Sequence, residues 1–141
     1  MKRLLLVLPL VLAVACSGST EPSGPYGIYR LQSIDGQPVP YVSVSGGNRA
    51  NERILATSEI ELSKGFGSAG DKYAITWARE FLDPATGVVV GQDQFVYAGL
   101  VVIEGSTLHF DETIGTLTAG EITVTGFLSG NFGQKQLVFK R

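Results

Sequence analysis

The feature that most constrains this chain is a two-residue rhythm. In at least six short segments between Gly27 and Lys140, apolar side chains recur at every second position with polar ones between them. That period sets two side-chain faces on a β-strand, whereas a helix needs repeats near 3.6 residues. Gly27 to Ile34 sets Tyr29 and Leu31 against Arg30 and Gln32. Thr57 to Ser63 turns Ile60 and Leu62 inward and leaves Glu59 and Glu61 on the solvated face. Lys72 to Phe81 gathers Tyr73, Ile75, Trp77 and Phe81 on one side, opposite Ala74, Thr76 and Ala78. Thr107 to Glu112 sets Leu108 and Phe110 against Thr107 and His109. Glu121 to Phe127 aligns Ile122 with Val124, and Gln136 to Lys140 aligns Leu137 with Phe139.

The segments are separated by turn chemistry. Asp35-Gly36, Gly46-Gly47-Asn48, Asp83-Pro84-Ala85-Thr86-Gly87, Ala119-Gly120 and Ser129 to Gly133 each break the chain. Pro38 and Pro40 bracket an extended piece that leads into Tyr41 to Ser45. Val88 to Ala98 adds a further strand, expected to bulge at Gly91. Asn51 to Ala56 is the one stretch that reads as a short helix. About eight strands result, with no helical pattern to carry parallel crossovers, so the sheet is expected to be antiparallel. Open sheet edges invite unwanted pairing, and closure into an up-and-down barrel removes them. The expected fold is therefore all-β: a small antiparallel barrel of about eight strands with at most one short helix, its strands six to ten residues long.

The N-terminus carries a different pattern. Lys2 and Arg3 precede an apolar run from Leu4 to Val14, and Ala13-Val14-Ala15 supplies small residues before Cys16, the only cysteine. A positive start, a short apolar run and a small-residue site make up a secretory signal peptide. The run is too short to span a hydrocarbon core of roughly 30 Å. Together with Cys16 it resembles the lipobox of bacterial lipoproteins. The resemblance implies that residues 1–15 are removed and that Cys16 carries lipid as the new N-terminus. Ser17 to Pro25 is rich in Ser, Gly and Pro, so residues 16–25 read as a lipidated cysteine and a mobile tether. Residues 26–141 are then the folded domain. Serine after the lipidated cysteine leans, by the same resemblance, toward the outer rather than the inner membrane.

Setting Lys2 and Arg3 aside from the 11 basic residues leaves nine against 13 acidic ones, a net charge of 9 − 13 = −4. A mildly acidic domain has no electrostatic footprint for nucleic acid. His109 is the only histidine, on the strand face opposite Leu108 and Phe110, and reads as a rim residue. With one histidine and the cysteine committed to lipid, a zinc site would need three carboxylates, so no metal and no cofactor are expected. Gly65-x-Gly67-x-x-Gly70 spells a dinucleotide fingerprint but lacks the following helix, and reads as a loop between strands. No catalytic residues are assigned, and the chain is expected not to be an enzyme.

Gly27-x-Tyr29-x-Leu31-x-Ser33-Ile34-x-Gly36-x-Pro38-x-Pro40 resembles the opening strand and turn of small lipocalin-like domains in bacterial envelope proteins. Tyr97-x-Gly99, Gly105-x-x-Leu108-x-Phe110 and Leu137-x-Phe139-x-Arg141 are similar to later parts of the same pattern. The resemblance implies a lipocalin-like barrel. Its strand aromatics have two readings. Tyr29, Tyr73, Trp77, Tyr97 and Phe110 either pack a filled core or line a pocket for a small apolar ligand, since eight strands leave room for either. The expected function is a lipid-anchored, non-catalytic accessory module of the cell envelope that docks a protein partner. The alternative is a carrier of a small apolar ligand.

Overall fold

The structure is a computed structural model that describes residues 24–43, 50–111, 113–126 and 134–141. The signal segment, Cys16 and most of the tether lie outside the described residues, as do the turns expected at Gly46-Gly47-Asn48 and Ser129 to Gly133. No helix occurs among the described residues. The strands are β1 (Gly27–Ile34), β2 (Gln37–Pro38), β3 (Tyr41–Ser43), β4 (Asn51–Ile54), β5 (Glu59–Ser63) and β6 (Asp71–Leu82). Then come β7 (Val89–Glu104), β8 (Thr107–His109), β9 (Ile114–Thr118), β10 (Glu121–Thr125) and β11 (Gln136–Lys140).

Eight of these close a barrel. From β5 to β11 each strand pairs antiparallel with the next, and β1 closes the ring between β5 and β11. Tyr29 lies opposite Ile60 on one side of β1, and Leu31 opposite Phe139 on the other. The antiparallel up-and-down barrel of about eight strands expected from alternation is the fold observed. Three short strands are added to it: β2 on β1, and β3 with β4 beside the far half of β6. The lengths differ from expectation, from three residues in β8 to 16 in β7.

β4 corrects the helix expected over Asn51 to Ala56. Its burial alternates, with Glu52 and Ile54 buried, and it runs antiparallel to Arg79–Leu82 of β6. Four residues are too few to separate a strand from a helical turn by periodicity, and tertiary pairing decides. β4 and β5 lie end to end along β6, broken at residues 55–58. Ser58 mends that break: its hydroxyl accepts from the Ala78 N–H at 3.0 Å and its carbonyl accepts from the Leu31 N–H at 2.9 Å. The bulge expected near Gly91 is present. Phe81 pairs with Gly91 but Leu82 with Val89, so Val90 is the extra residue. The glycine-rich stretch after Lys64 is a closed loop, where a Cβ on Gly65 would run into the carbonyls of Ala69 and Gly70.

The barrel interior holds one contiguous cluster of side chains, among them Tyr29, Leu31, Ile60, Ile75, Trp77, Leu108, Ile122, Leu137 and Phe139. Each is at most 1% exposed. Burying one such side chain contributes about 1.5–3 kcal/mol, and this cluster is what holds the ring together.

Candidate interaction surface

The aromatic residues singled out from the sequence fall into two places. Tyr29, Tyr73, Trp77 and Phe110 belong to the core cluster, at 1%, 2%, 1% and 6% exposure. Tyr29 donates through its hydroxyl to the Pro25 carbonyl at 2.7 Å. Tyr73 donates to Asp111 Oδ2 at 2.9 Å and meets Phe110 edge to face, centroids 5.1 Å apart. Asp111 reaches Tyr73 across Gly99, where any side chain would collide with that carboxylate. Tyr97 stands apart, 51% exposed on β7. His109 lies at the surface with Nε2 3.5 Å from Glu104 Oε2. No group of three His, Cys, Asp or Glu side chains suited to a metal occurs among the described residues.

The feature that stands out physically is the ribbon formed by β6 and β7. β8 pairs with only Val102–Glu104 of β7, whereas β6 follows β7 from Val89 to Val101. The two long strands therefore project past the short strand beside them. Over Val89 to Val101 the second edge of β7 has no strand partner among the described residues. From Val89 to Leu100 its side chains are exposed on both faces, whereas Val101 belongs to the core at 2% exposure. Phe95 and Tyr97 share the inner face with Trp77 and Ile75, yet are 38% and 51% exposed, with no strand beside them there among the described residues. On the outer face Val96, Leu100 and Val102 are 62%, 55% and 56% exposed.

Polar ladders hold the ribbon straight. On the inner face Arg79 donates from Nε to Asp93 Oδ1 at 2.6 Å and from Nη2 to Oδ2 at 2.8 Å, and it meets Glu52 at 3.4 Å. Its guanidinium lies 5.0 Å from the Phe81 ring centre and 4.9 Å from that of Phe95. Bidentate pairing of this kind fixes geometry as well as charge. The Arg79 bond holds the Asp93 carboxyl below its ordinary value, and Asp93 in turn raises Arg79. On the outer face Glu80 accepts from Arg53 Nε at 2.6 Å and from Gln92 Nε2 at 2.9 Å, which lowers its carboxyl too.

The turn at the tip is equally closed. Asp83 Oδ1 accepts from the Thr86 N–H at 2.8 Å, the Thr86 hydroxyl at 2.9 Å and the Ala85 N–H at 3.0 Å. These bonds, the Thr86 N–H first, lower the Asp83 carboxyl. Gly87 follows at φ 70°, a conformation glycine adopts without strain. The ribbon is thus a braced apolar strand presented to solvent.

Sequence reasoning placed β7 as an ordinary strand and missed its open edge. A signal was present: Val88-Val89-Val90 and Phe95-Val96-Tyr97 are apolar on successive residues, where a half-buried strand alternates.

Comparison with protein-family models, with curated proteins and with solved structures finds no match to this chain.

Proposed function

We propose that this chain is a lipid-anchored protein of the bacterial cell envelope, tethered through Cys16, whose barrel is a non-catalytic interaction module. One observation carries the reading: the interior holds a cluster of the chain's own side chains, while among the described residues most of the exposed large apolar side chains stand together on β7. A carrier would do the reverse, keeping a void inside and a polar exterior. Exposed apolar residues grouped on one element mark a site of interaction. The leader and the lone cysteine support the anchor, and a short tether keeps the domain near the bilayer. The leaning toward the outer membrane rests on Ser17.

Two measurements test it. Replacing Cys16 by Ser should move the protein out of the membrane fraction on cell fractionation; unchanged membrane association and mass would sink the anchor. A photocrosslinking residue at Val96 should trap a protein in cells, and one at the exposed Gln136 of β11, four strands away around the ring, should not. Equal trapping at both positions would mean that β7 is not the docking surface.

A further inference from the structure

We propose, building on the lipid-anchor reading, that the loop between β5 and β6 rests on the bilayer and that Phe66 at its tip enters the headgroup region. Phe66 is 93% exposed, the highest value among the exposed large apolar side chains of the described residues. A single exposed apolar residue needs no explanation by itself. Three features of this one point to lipid.

The first is its place relative to the anchor. β1 begins at Gly27 and β11 ends at Lys140, and Arg141 Nη2 donates to the Gly24 carbonyl at 2.8 Å. The tether therefore leaves the barrel at the end that carries residues 64–70, joining β5 to β6. Asp71 ties the loop to the tether exit: its Oδ2 accepts from the Tyr26 hydroxyl at 2.9 Å and its Oδ1 from the Gly65 N–H at 3.1 Å. The other turns at this end, Gly105-Ser106 and Ala119-Gly120, are built from small residues that let a flat surface approach.

The second feature is the length of chain outside the described domain. Eight residue steps separate Cys16 from Gly24. A sequence of that length rich in Ser, Gly and Pro is expected to span about 15 Å as a coil. β1, eight residues long and tilted as barrel strands are, rises roughly 20 Å along the barrel axis. Turning the opposite end of the barrel to the bilayer would stretch the tether past its relaxed span merely to run back along the wall. A relaxed tether brings the Phe66 end to the lipid.

The third feature is the company Phe66 keeps. Lys64 and Lys72 are exposed on either side of the loop, where long cationic side chains reach lipid phosphates. Leu100, 55% exposed, stands 3.9 Å from where a Cβ on Gly70 would lie, which extends the apolar surface from β7 toward the loop. The turns after β1 and β6, at the opposite end, hold Asp35 and Asp83 instead. The Ala69 N–H donates to the Phe66 carbonyl at 3.1 Å, so the ring is presented from a closed turn. Aromatic side chains of this kind seat themselves at the boundary of headgroups and acyl chains.

The test uses the full-length lipidated protein in vesicles of phosphatidylethanolamine and phosphatidylglycerol. With lipid on Cys16, a cysteine introduced elsewhere is the free thiol and takes a polarity-sensitive fluorophore. Ser68→Cys reports the turn that holds Phe66, and Ala85→Cys reports the turn at the opposite end. The label at Ser68 should emit to the blue of the label at Ala85 and lose intensity to doxyl-labelled lipid. Adding Phe66→Asp should abolish both effects with the far-ultraviolet circular dichroism unchanged. Water-like emission at Ser68 from protein that floats with the vesicles would overturn the loop contact and leave the anchor standing. So would a blue shift that survives Phe66→Asp. A blue shift that doxyl-labelled lipid fails to quench would mean that protein covers the loop, and the lipid contact falls. Protein that does not float with the vesicles would overturn the anchor and this contact together.

Discussion

Trp77 shows how one residue ties strand to core. It is 1% exposed, shares the inner face of β6 with Tyr73 and Ile75, and lies opposite Phe95. Bulk on that face and alanines on the other were legible in the sequence, and the inward direction of Trp77 follows from them. Truncation to alanine leaves a cavity that the rigid ring of strands closes only in part. Trp77→Ala should therefore cost about 3–5 kcal/mol in urea unfolding. In the parent protein, Trp77 emission should be blue-shifted and barely quenched by iodide; strong quenching would mean that this face of β6 meets water. The same parity puts Tyr97 inward, and there the sequence misleads. Facing the interior side of a sheet buries a side chain only where a neighbouring strand covers it, and coverage is a property of the whole topology.

At the scale of elements, alternation made β1, β5, β6, β10 and β11 legible because each has one face on the core. β4 was not, since it is four residues long and its buried Glu52 reads as surface until Arg79 is brought to it. Among the described residues the ribbon of β6 and β7 carries three carboxyls held below their ordinary values, which makes it an acid-sensitive element. Asp83 and Asp93 are held below their ordinary 3.8, and Glu80 below 4.5. A carboxyl lowered in the folded state contributes stability that is fully present above its unfolded value and is lost as pH falls through the folded one. The melting temperature should thus be flat near neutrality and decline below roughly pH 4. Asp93→Asn removes one of these contributions. It should lower the melting temperature at neutral pH and make the acid decline shallower. An identical acid decline in the variant would show that Arg79–Asp93 does not couple to folding.

For the whole molecule the decisive step is ring closure, made by strands from opposite ends of the domain. β1 pairs with β11 across most of the chain, and closing so long a loop carries an entropic cost before any contact offsets it. Arg141 sits at that seam. Its Nη2 donates to the Tyr29 hydroxyl at 2.7 Å, to the Gly24 carbonyl at 2.8 Å and to the Tyr26 carbonyl at 3.0 Å. Its guanidinium also lies 4.9 Å from the Tyr29 ring centre. The backbone follows suit, with the Arg141 N–H donating to the Gly120 carbonyl at 3.0 Å. One planar group thereby joins the entry of β1, the exit of β11 and the aromatic ring between them. The Tyr29 end of these contacts is buried and the carbonyl end is exposed, so solvent screens part of their strength. Arg141→Ala should cost about 1–2 kcal/mol, seen as a lower urea midpoint. Arg141→Lys keeps the charge but loses the flat fork that stacks on Tyr29 while bonding beyond it. If planar geometry at the seam matters, the lysine variant should recover less than half of that loss. Full recovery by lysine would mean that charge alone, and not the shape of the group, fastens the two ends of the barrel.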